Sequence, residues 1–312
     1  MRKSFRVLVT DKCNMRCPTC FNRELRGTKE MSVEDFTAVC KYLRDEGGIV
    51  GLKIMGGEPT THPRFNEILA VAQEHFRSVH VFTNALNEVI AGANLRKDDT
   101  VIYNVWCMSE NFPAEKLLPK LDCNRAFETR IDASANVPRI KRVLRHVHSI
   151  LGTGMFVNLT LNCTENIFER KDQVIANWNE IVTLVEDELK IDYRIDHGIP
   201  YCFFMGSKMR VRMRAVHCSM DCAGLIGPDL SLRHCNQTSE NLTCIRQGGR
   251  FVPYKILDQY LLCEHSRMQH DCLAKLCRDC VLYGEKCNGG CFMFKPLITR
   301  ESIVDATDLP LQ

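Results

Sequence analysis

Cys13, Cys17 and Cys20 lie in the run Cys13-Asn14-Met15-Arg16-Cys17-Pro18-Thr19-Cys20, directly after a first apolar segment. Three thiols this close can share one metal centre, and no fourth cysteine follows at a matching spacing. A cluster of the ferredoxin type uses four cysteines to close every iron. Three ligands leave one iron open, and an open iron can bind and activate a small molecule. A zinc knuckle, or three thiols packed side by side, is the alternative that the spacing leaves open.

At 312 residues the chain can form one large domain or a barrel with an appendage. Its 45% hydrophobic and 25% charged residues are ordinary for a soluble globular protein, and a net charge of +3 gives no reason to expect nucleic acid. Met1 to Cys13 holds no signal-peptide core. No apolar run approaches the roughly 18 residues a membrane span needs. A cytoplasmic location without membrane contact is therefore expected. In that reducing setting the 18 cysteines read as metal ligands rather than disulfides. Between Cys20 and Cys202 there are only Cys40, Cys107, Cys123 and Cys163, whereas eleven follow from Cys202 onward. This change in density places a domain boundary at 198–205 and divides the chain into residues 1–198 and 199–312.

The first part alternates short apolar runs with amphipathic helices, which is the pattern of a parallel α/β sheet. Strands are predicted at Phe5–Thr10, Leu52–Met55, Val79–Phe82, Val101–Trp106, Met155–Leu161 and Ile191–Ile195, with Phe127–Ile131 a further extended segment. A helix is predicted over 32–46, with Ser32 as N-cap, Gly47-Gly48 as stop, and Phe36, Val39, Cys40 and Leu43 as its buried stripe. Two more are predicted near 137–150 and 174–188. In parallel barrels the active site lies at the C-terminal ends of the strands. The three cysteines follow strand one, Gly56-Gly57-Glu58-Pro59 follows strand two, and Thr83-Asn84-Ala85 follows strand three. Three separate loops would thus meet at one end.

Cys-x3-Cys-x2-Cys resembles the signature of the radical S-adenosylmethionine (SAM) enzymes. That resemblance implies a [4Fe–4S] cluster on Cys13, Cys17 and Cys20, with SAM chelated to the open iron and cleaved to a 5′-deoxyadenosyl radical. The family usually carries an aromatic residue just before the third cysteine. Here Thr19 stands there, and Phe21 is placed to shield the cluster instead. Gly56, Gly57 and Glu58 resemble the family's GGE motif, which hydrogen-bonds the SAM ammonium. Asn104 and Arg125 occupy the places where relatives bind SAM, although the usual Ser-x-Asp after strand four is absent. The implied fold is a partial (β/α)6 radical SAM barrel followed by a small cysteine-rich domain.

The last third resembles the SPASM extension, which carries auxiliary [4Fe–4S] clusters. By that resemblance Cys218, Cys222, Cys235 and Cys291 hold one cluster, and Cys277, Cys280 and Cys287 hold a second. The family's fourth ligand to that second cluster comes from beyond Cys291, where this chain has no cysteine. Cys244, Cys263, Cys272, Asp305 and Asp308 are the candidate substitutes, and an iron left open for substrate is the alternative. Leu230 also replaces the family's glycine five residues before Cys235. A zinc ribbon is the alternative for the later group.

Asp196 and His197, at the end of the last predicted barrel strand, are candidates for general acid/base work or for a structural hydrogen-bonded pair. Cys107 and Cys163 also end strands, where packing is the plainer role. Lys208, Arg210, Arg212 and Arg214 alternate with Met209, Val211 and Met213, which on a strand puts four cations on one face. Such a face suits an anionic substrate or simply solvent. Asn236 stands where formylglycine-forming relatives carry an aspartate base, which disfavours that activity. Only twelve residues precede Cys13, whereas many peptide-modifying relatives begin with a leader-binding domain. The expected activity is therefore hydrogen abstraction from a small natural-product precursor, with flavodoxin or ferredoxin as electron donor. Maturation of a ribosomally made peptide is the second reading, and a non-catalytic iron–sulfur or zinc protein the third.

Overall fold

A computed structural model describes residues 4–17, 20, 22, 26–105, 118, 123–161, 167–195, 203, 224–235, 238, 240–271 and 275–278. Contacts do not divide the chain at 198/199. One unit joins Met1–Ala126 with Met220–His265, and the other joins Phe127–Ser219 with Ser266–Gln312. The reason lies in strand pairing: residues from beyond the expected boundary add directly to the edge of the first strand.

In the first unit β1 (Ser4–Leu8), β2 (Gly51–Met55), β3 (Ser78–Thr83) and β4 (Thr100–Asn104) lie side by side and parallel. Val7, Ile54, Val81 and Val101 face one another in register and are fully buried. Burying each contributes about 1.5–3 kcal/mol. Side chains alternate along a strand, so Leu8 and Met55 form a second cluster with Leu225 and Phe82. Beyond β1 the sheet continues through β8 (Leu225–Ile226), β9 (Ser231–Arg233) and β10 (Asn241–Cys244), with β8 parallel to β1 and the other two antiparallel. The first four apolar runs of the sequence thus form strands β1 to β4 as expected, whereas the two-residue β8 is too brief to read as one.

Helix α1 (Val33–Asp45) forms as expected: Ser32 accepts from the Asp35 N–H, Phe36, Val39, Cys40 and Leu43 are buried, and Gly48 turns left-handed at φ 60. Burial alone pushes the Cys40 thiol far up, as befits a core residue. Helix α2 (Phe65–His75) packs against α1. Its exit is fixed by Asp99, a fully buried carboxylate. Asp99 accepts from the Val79 N–H at 3.0 Å, from Gln73 Nε2 at 2.7 Å and from Arg96 Nη2 at 2.9 Å, while Arg96 Nη1 donates to Gln73 O at 2.7 Å. Burial would raise the Asp99 pKa, but the hydrogen bonds from Arg96 and Gln73 outweigh it and hold the group below the usual carboxylate range. A depressed folded pKa adds stability above the unfolded value, lost as pH falls through the folded one. Asp99→Asn is thus expected to cost about 2 kcal/mol at pH 7. Urea titrations at pH 7 and pH 3.5 will check this: the gap between variant and parent should narrow in acid.

The β8–β9 turn runs Gly227-Pro228-Asp229-Leu230. Leu230 N–H donates to Gly227 O at 3.0 Å, and Gly227 N–H to Ser231 O at 2.8 Å. Leu230 holds φ 62. A three-residue hairpin of this kind asks for a left-handed residue at that position, normally glycine. The departure seen in the sequence therefore places a leucine where the backbone costs about 1–2 kcal/mol.

The two units divide within β5 (Asn124–Ile131). In the second unit a helix at Val137–Leu151, capped by Asn136, precedes β6 (Phe156–Leu161). A second helix, Lys171–Thr183, continues as a π-helical turn at Leu184–Glu188 and leads to β7 (Tyr193–Ile195), parallel to β6. Among the described residues no helix is long and apolar enough to cross a membrane.

Candidate active site

The loop that leaves β1 is fastened at its base. Asp11 N–H donates to Lys29 O at 2.9 Å, Lys12 N–H to Thr10 Oγ1 at 3.1 Å, and Lys12 pairs with Glu30 at 3.0 Å. The loop after β2 presses directly on it. Gly57 N–H donates to Thr10 O and Glu58 N–H to Lys12 O, both at 2.8 Å. A Cβ on Gly56 would lie 2.6 Å from Thr10 O, and one on Gly57 would overlap the Lys12 carbonyl. The glycine pair is thus required by the chain's own backbone, at the C-terminal ends of β1 and β2.

Glu58 is 1% exposed and sits beneath these loops. Its Oε1 accepts from Thr60 N–H at 3.2 Å, Thr60 Oγ1 at 2.6 Å and Thr83 Oγ1 at 2.9 Å; its Oε2 accepts from Asn84 N–H at 2.7 Å. Burial pushes the carboxyl pKa up while these four donors pull against it. All four groups are placed to donate to the carboxylate, and the two backbone N–H groups can do nothing else. Asn84 Nδ2 in turn donates to Asn14 Oδ1 at 2.7 Å, inside the cysteine loop. The ends of β1, β2 and β3 therefore meet at one point, as the motif order in the sequence implied.

Cys13, Cys17 and Cys20 are all partly exposed along this loop. Met15 N–H donates to Cys13 Sγ at 3.4 Å, Cys20 N–H to Cys17 O at 3.3 Å, and Arg26 Nη2 to Cys17 O at 3.2 Å. Burial raises the Cys13 pKa, and Glu58, Cys17 and Cys20 add to it as like charges. Among the described residues no three His, Cys, Asp or Glu side chains already converge as a metal-holding group. The donor set nevertheless fits an iron–sulfur cluster: three soft thiols on one loop, one already hydrogen-bonded by a backbone N–H, over a rigid base.

Asn104 ends β4, one residue past the register pair Thr83–Tyr103, and so shares this end of the sheet. Arg125 does not. It follows Asn124, whose N–H donates to Asp99 O at the foot of β4, so it starts β5 at the opposite end from Glu58. Cys235 follows β9, with Thr238 Oγ1 accepting from its N–H at 3.3 Å. Cys277 is buried on the short helix Lys275–Arg278. Cys244 and Cys263 are exposed. Thr19, Phe21, Cys107, Cys163, Asp196, His197, the basic run at 208–214, Cys218, Cys222, Asn236, Cys272, Cys280, Cys287, Cys291, Asp305 and Asp308 lie outside the described residues. Sequence reasoning passed over Thr60 and Asn14 and gave Thr83 and Asn84 no task; only the position of Thr83-Asn84 after a strand hinted at one.

The profile of the Radical SAM superfamily matches residues 7–105, from β1 through the end of β4. The antilisterial bacteriocin subtilosin biosynthesis protein AlbA of Bacillus subtilis is 37% identical over 79 residues, 24% of this chain and 17% of AlbA. A probable GTP 3′,8-cyclase of Methanococcus maripaludis is 25% identical over 168 residues, 53% of this chain and 52% of the cyclase. The chain thus spans about half or less of the length of these curated relatives. Among solved structures, Streptococcus suis SuiB bound to S-adenosylmethionine superposes with a TM-score of 0.62 at 11% identity, over 94% of this chain and 73% of SuiB. SuiB bound to precursor peptide SuiA gives 0.55 at 13% identity, over 77% and 62%. At these identities the likeness is one of fold.

Proposed function

We propose that this chain, whose residues 7–105 match the Radical SAM superfamily, is an enzyme that cleaves SAM reductively to modify a natural-product precursor. The family's cofactors are a [4Fe–4S] cluster and SAM, which when bound supply a 5′-deoxyadenosyl radical able to remove hydrogen from an unactivated carbon. Cys13, Cys17 and Cys20 would hold the cluster. Gly56 and Gly57 bring the backbone of the second loop against the first, and Glu58 holds both to the end of β3. That junction is the observation that carries the reading, since a fixed loop keeps reacting groups in register. Asn104, at the end of β4, is assigned to SAM binding on the same premise.

Beyond this core we assign the auxiliary [4Fe–4S] ligands as Cys218, Cys222, Cys235 and Cys291, with Cys277, Cys280 and Cys287 for a second cluster, a SPASM-like ligand set within the last third of the sequence. Asp196 and His197 are the acid/base candidates, and a flavodoxin or ferredoxin is the electron donor. For the substrate, a ribosomally made peptide is favoured by the likeness to AlbA, named for bacteriocin biosynthesis, and to SuiB, solved with a precursor peptide. A small anionic molecule is the second reading, favoured by the likeness to a GTP cyclase.

Iron analysis after anaerobic reconstitution tests the ligand assignment. The parent should hold about four irons for each cluster. Cys17→Ala and Cys235→Ala should each lose about one cluster's worth, and the double variant about two. Zinc in place of iron, or unchanged iron in Cys17→Ala, would sink it.

A further inference from the structure

Asn14 is an exposed residue in the middle of the cysteine loop, yet it is gripped from below. Its partner Asn84 is 4% exposed, with its N–H, Oδ1 and Nδ2 all bonded. The Asn84 N–H goes to Glu58 Oε2 at 2.7 Å, Oδ1 accepts from Leu86 N–H at 3.0 Å, and Nδ2 goes to Asn14 Oδ1 at 2.7 Å. The next residue, Ala85, holds φ 60, and its N–H donates to Thr83 Oγ1 at 3.0 Å. A left-handed alanine costs about 1–2 kcal/mol, so the surrounding bonds must over-determine the turn. The end of β3 is therefore a stiff anchor, and its Asn84 side chain bonds into the Cys13–Cys17 span.

We propose that Asn84 is a positioning residue for the metal centre, a latch that fixes the Cys13–Cys17 span through Asn14 and transmits the rigidity of the buried Glu58 to the thiols. This rests on the reading of Cys13, Cys17 and Cys20 as cluster ligands. Groups that orient ligands from behind commonly change metal affinity by about 10–100-fold when removed. The latch also explains why two amides meet at this point: Asn84 must donate to Asn14 while accepting from its own turn, and one amide side chain can do both.

The test is the rate at which anaerobically reconstituted protein loses iron to a chelator, together with the electron paramagnetic resonance spectrum of the reduced cluster. Asn14 is exposed and Asn14→Ala removes a single hydrogen bond, so the apoprotein should still unfold in one cooperative transition, with only a small downward shift of its midpoint. The variant should nevertheless lose iron about tenfold faster and alter the spectrum. Asn14→Asp keeps the acceptor and should stay near the parent. Asn84→Ala should lose iron at least about tenfold faster, since it also takes the acceptor from Leu86 N–H, and Asn14→Ala with Asn84→Ala should be no worse than Asn84→Ala alone, because the link to Asn14 is already gone. Parent-like retention and spectrum in Asn14→Ala would overturn the latch, as would multiplicative losses in the double variant. A parent that takes up no iron would instead sink the cluster reading, and the latch with it.

Discussion

Glu58→Ala will destabilise the protein by about 3–5 kcal/mol, because it takes the acceptor away from several buried donors at once. Four donors converge on the carboxylate, and two of them are backbone N–H groups, of Thr60 and Asn84, that cannot turn away. Left without an acceptor, each buried donor costs about 1–3 kcal/mol. Glu58→Gln separates shape from charge. It keeps an oxygen for Thr60 and Thr83 but turns an NH2 toward the Asn84 N–H, so it should cost about 2 kcal/mol. Both variants should also lose iron faster, because Asn84 links Glu58 to the cysteine loop. Chemical unfolding of the apoprotein checks the first effect and chelator challenge the second; a Glu58→Gln protein as stable as its parent would contradict the need for an acceptor at the Asn84 N–H.

Gly57→Ala should cost about 3 kcal/mol or more, from overpacking together with two hydrogen bonds stretched or lost. The added methyl would sit 2.6 Å from the Lys12 carbonyl carbon and 2.9 Å from Asp11 O. Those are backbone atoms, so no rotamer change relieves the overlap. Either the loop after β2 or the base of the cysteine loop must move, breaking Gly57 N–H to Thr10 O and Glu58 N–H to Lys12 O. Gly57 does not take a positive φ, so the close approach of backbone, rather than conformational freedom, is what demands glycine here. Equal unfolding midpoints for Gly57→Ala and parent would refute this.

Much of this geometry was legible because it rests on local rules. Ser32, the stripe Phe36-Val39-Cys40-Leu43 and Gly47-Gly48 mark α1 by capping and period, and each performs as its position implies. The motif order after three strands likewise placed three loops at one end. Helix α2 was passed over because Arg64 offers no side-chain cap. The β8–β9 hairpin stayed hidden because Leu230 occupies the left-handed turn position where a glycine would have marked it. Arg125 was put with the SAM-binding residues by likeness of spacing, but β5 begins at Asn124, so it stands at the other end of the strands. The site's inner wiring had no local signature at all. Glu58 reaches Thr83 across 25 positions and Asn84 reaches Asn14 across 70. Such bonds follow from the fold and from no periodicity in the chain.

The most direct measurement is anaerobic incubation of the reconstituted protein with dithionite and SAM, followed by chromatography for 5′-deoxyadenosine. The account predicts deoxyadenosine from the parent and none from Cys17→Ala, whose remaining iron cannot complete the site. Intact SAM over a fully iron-loaded parent would contradict it.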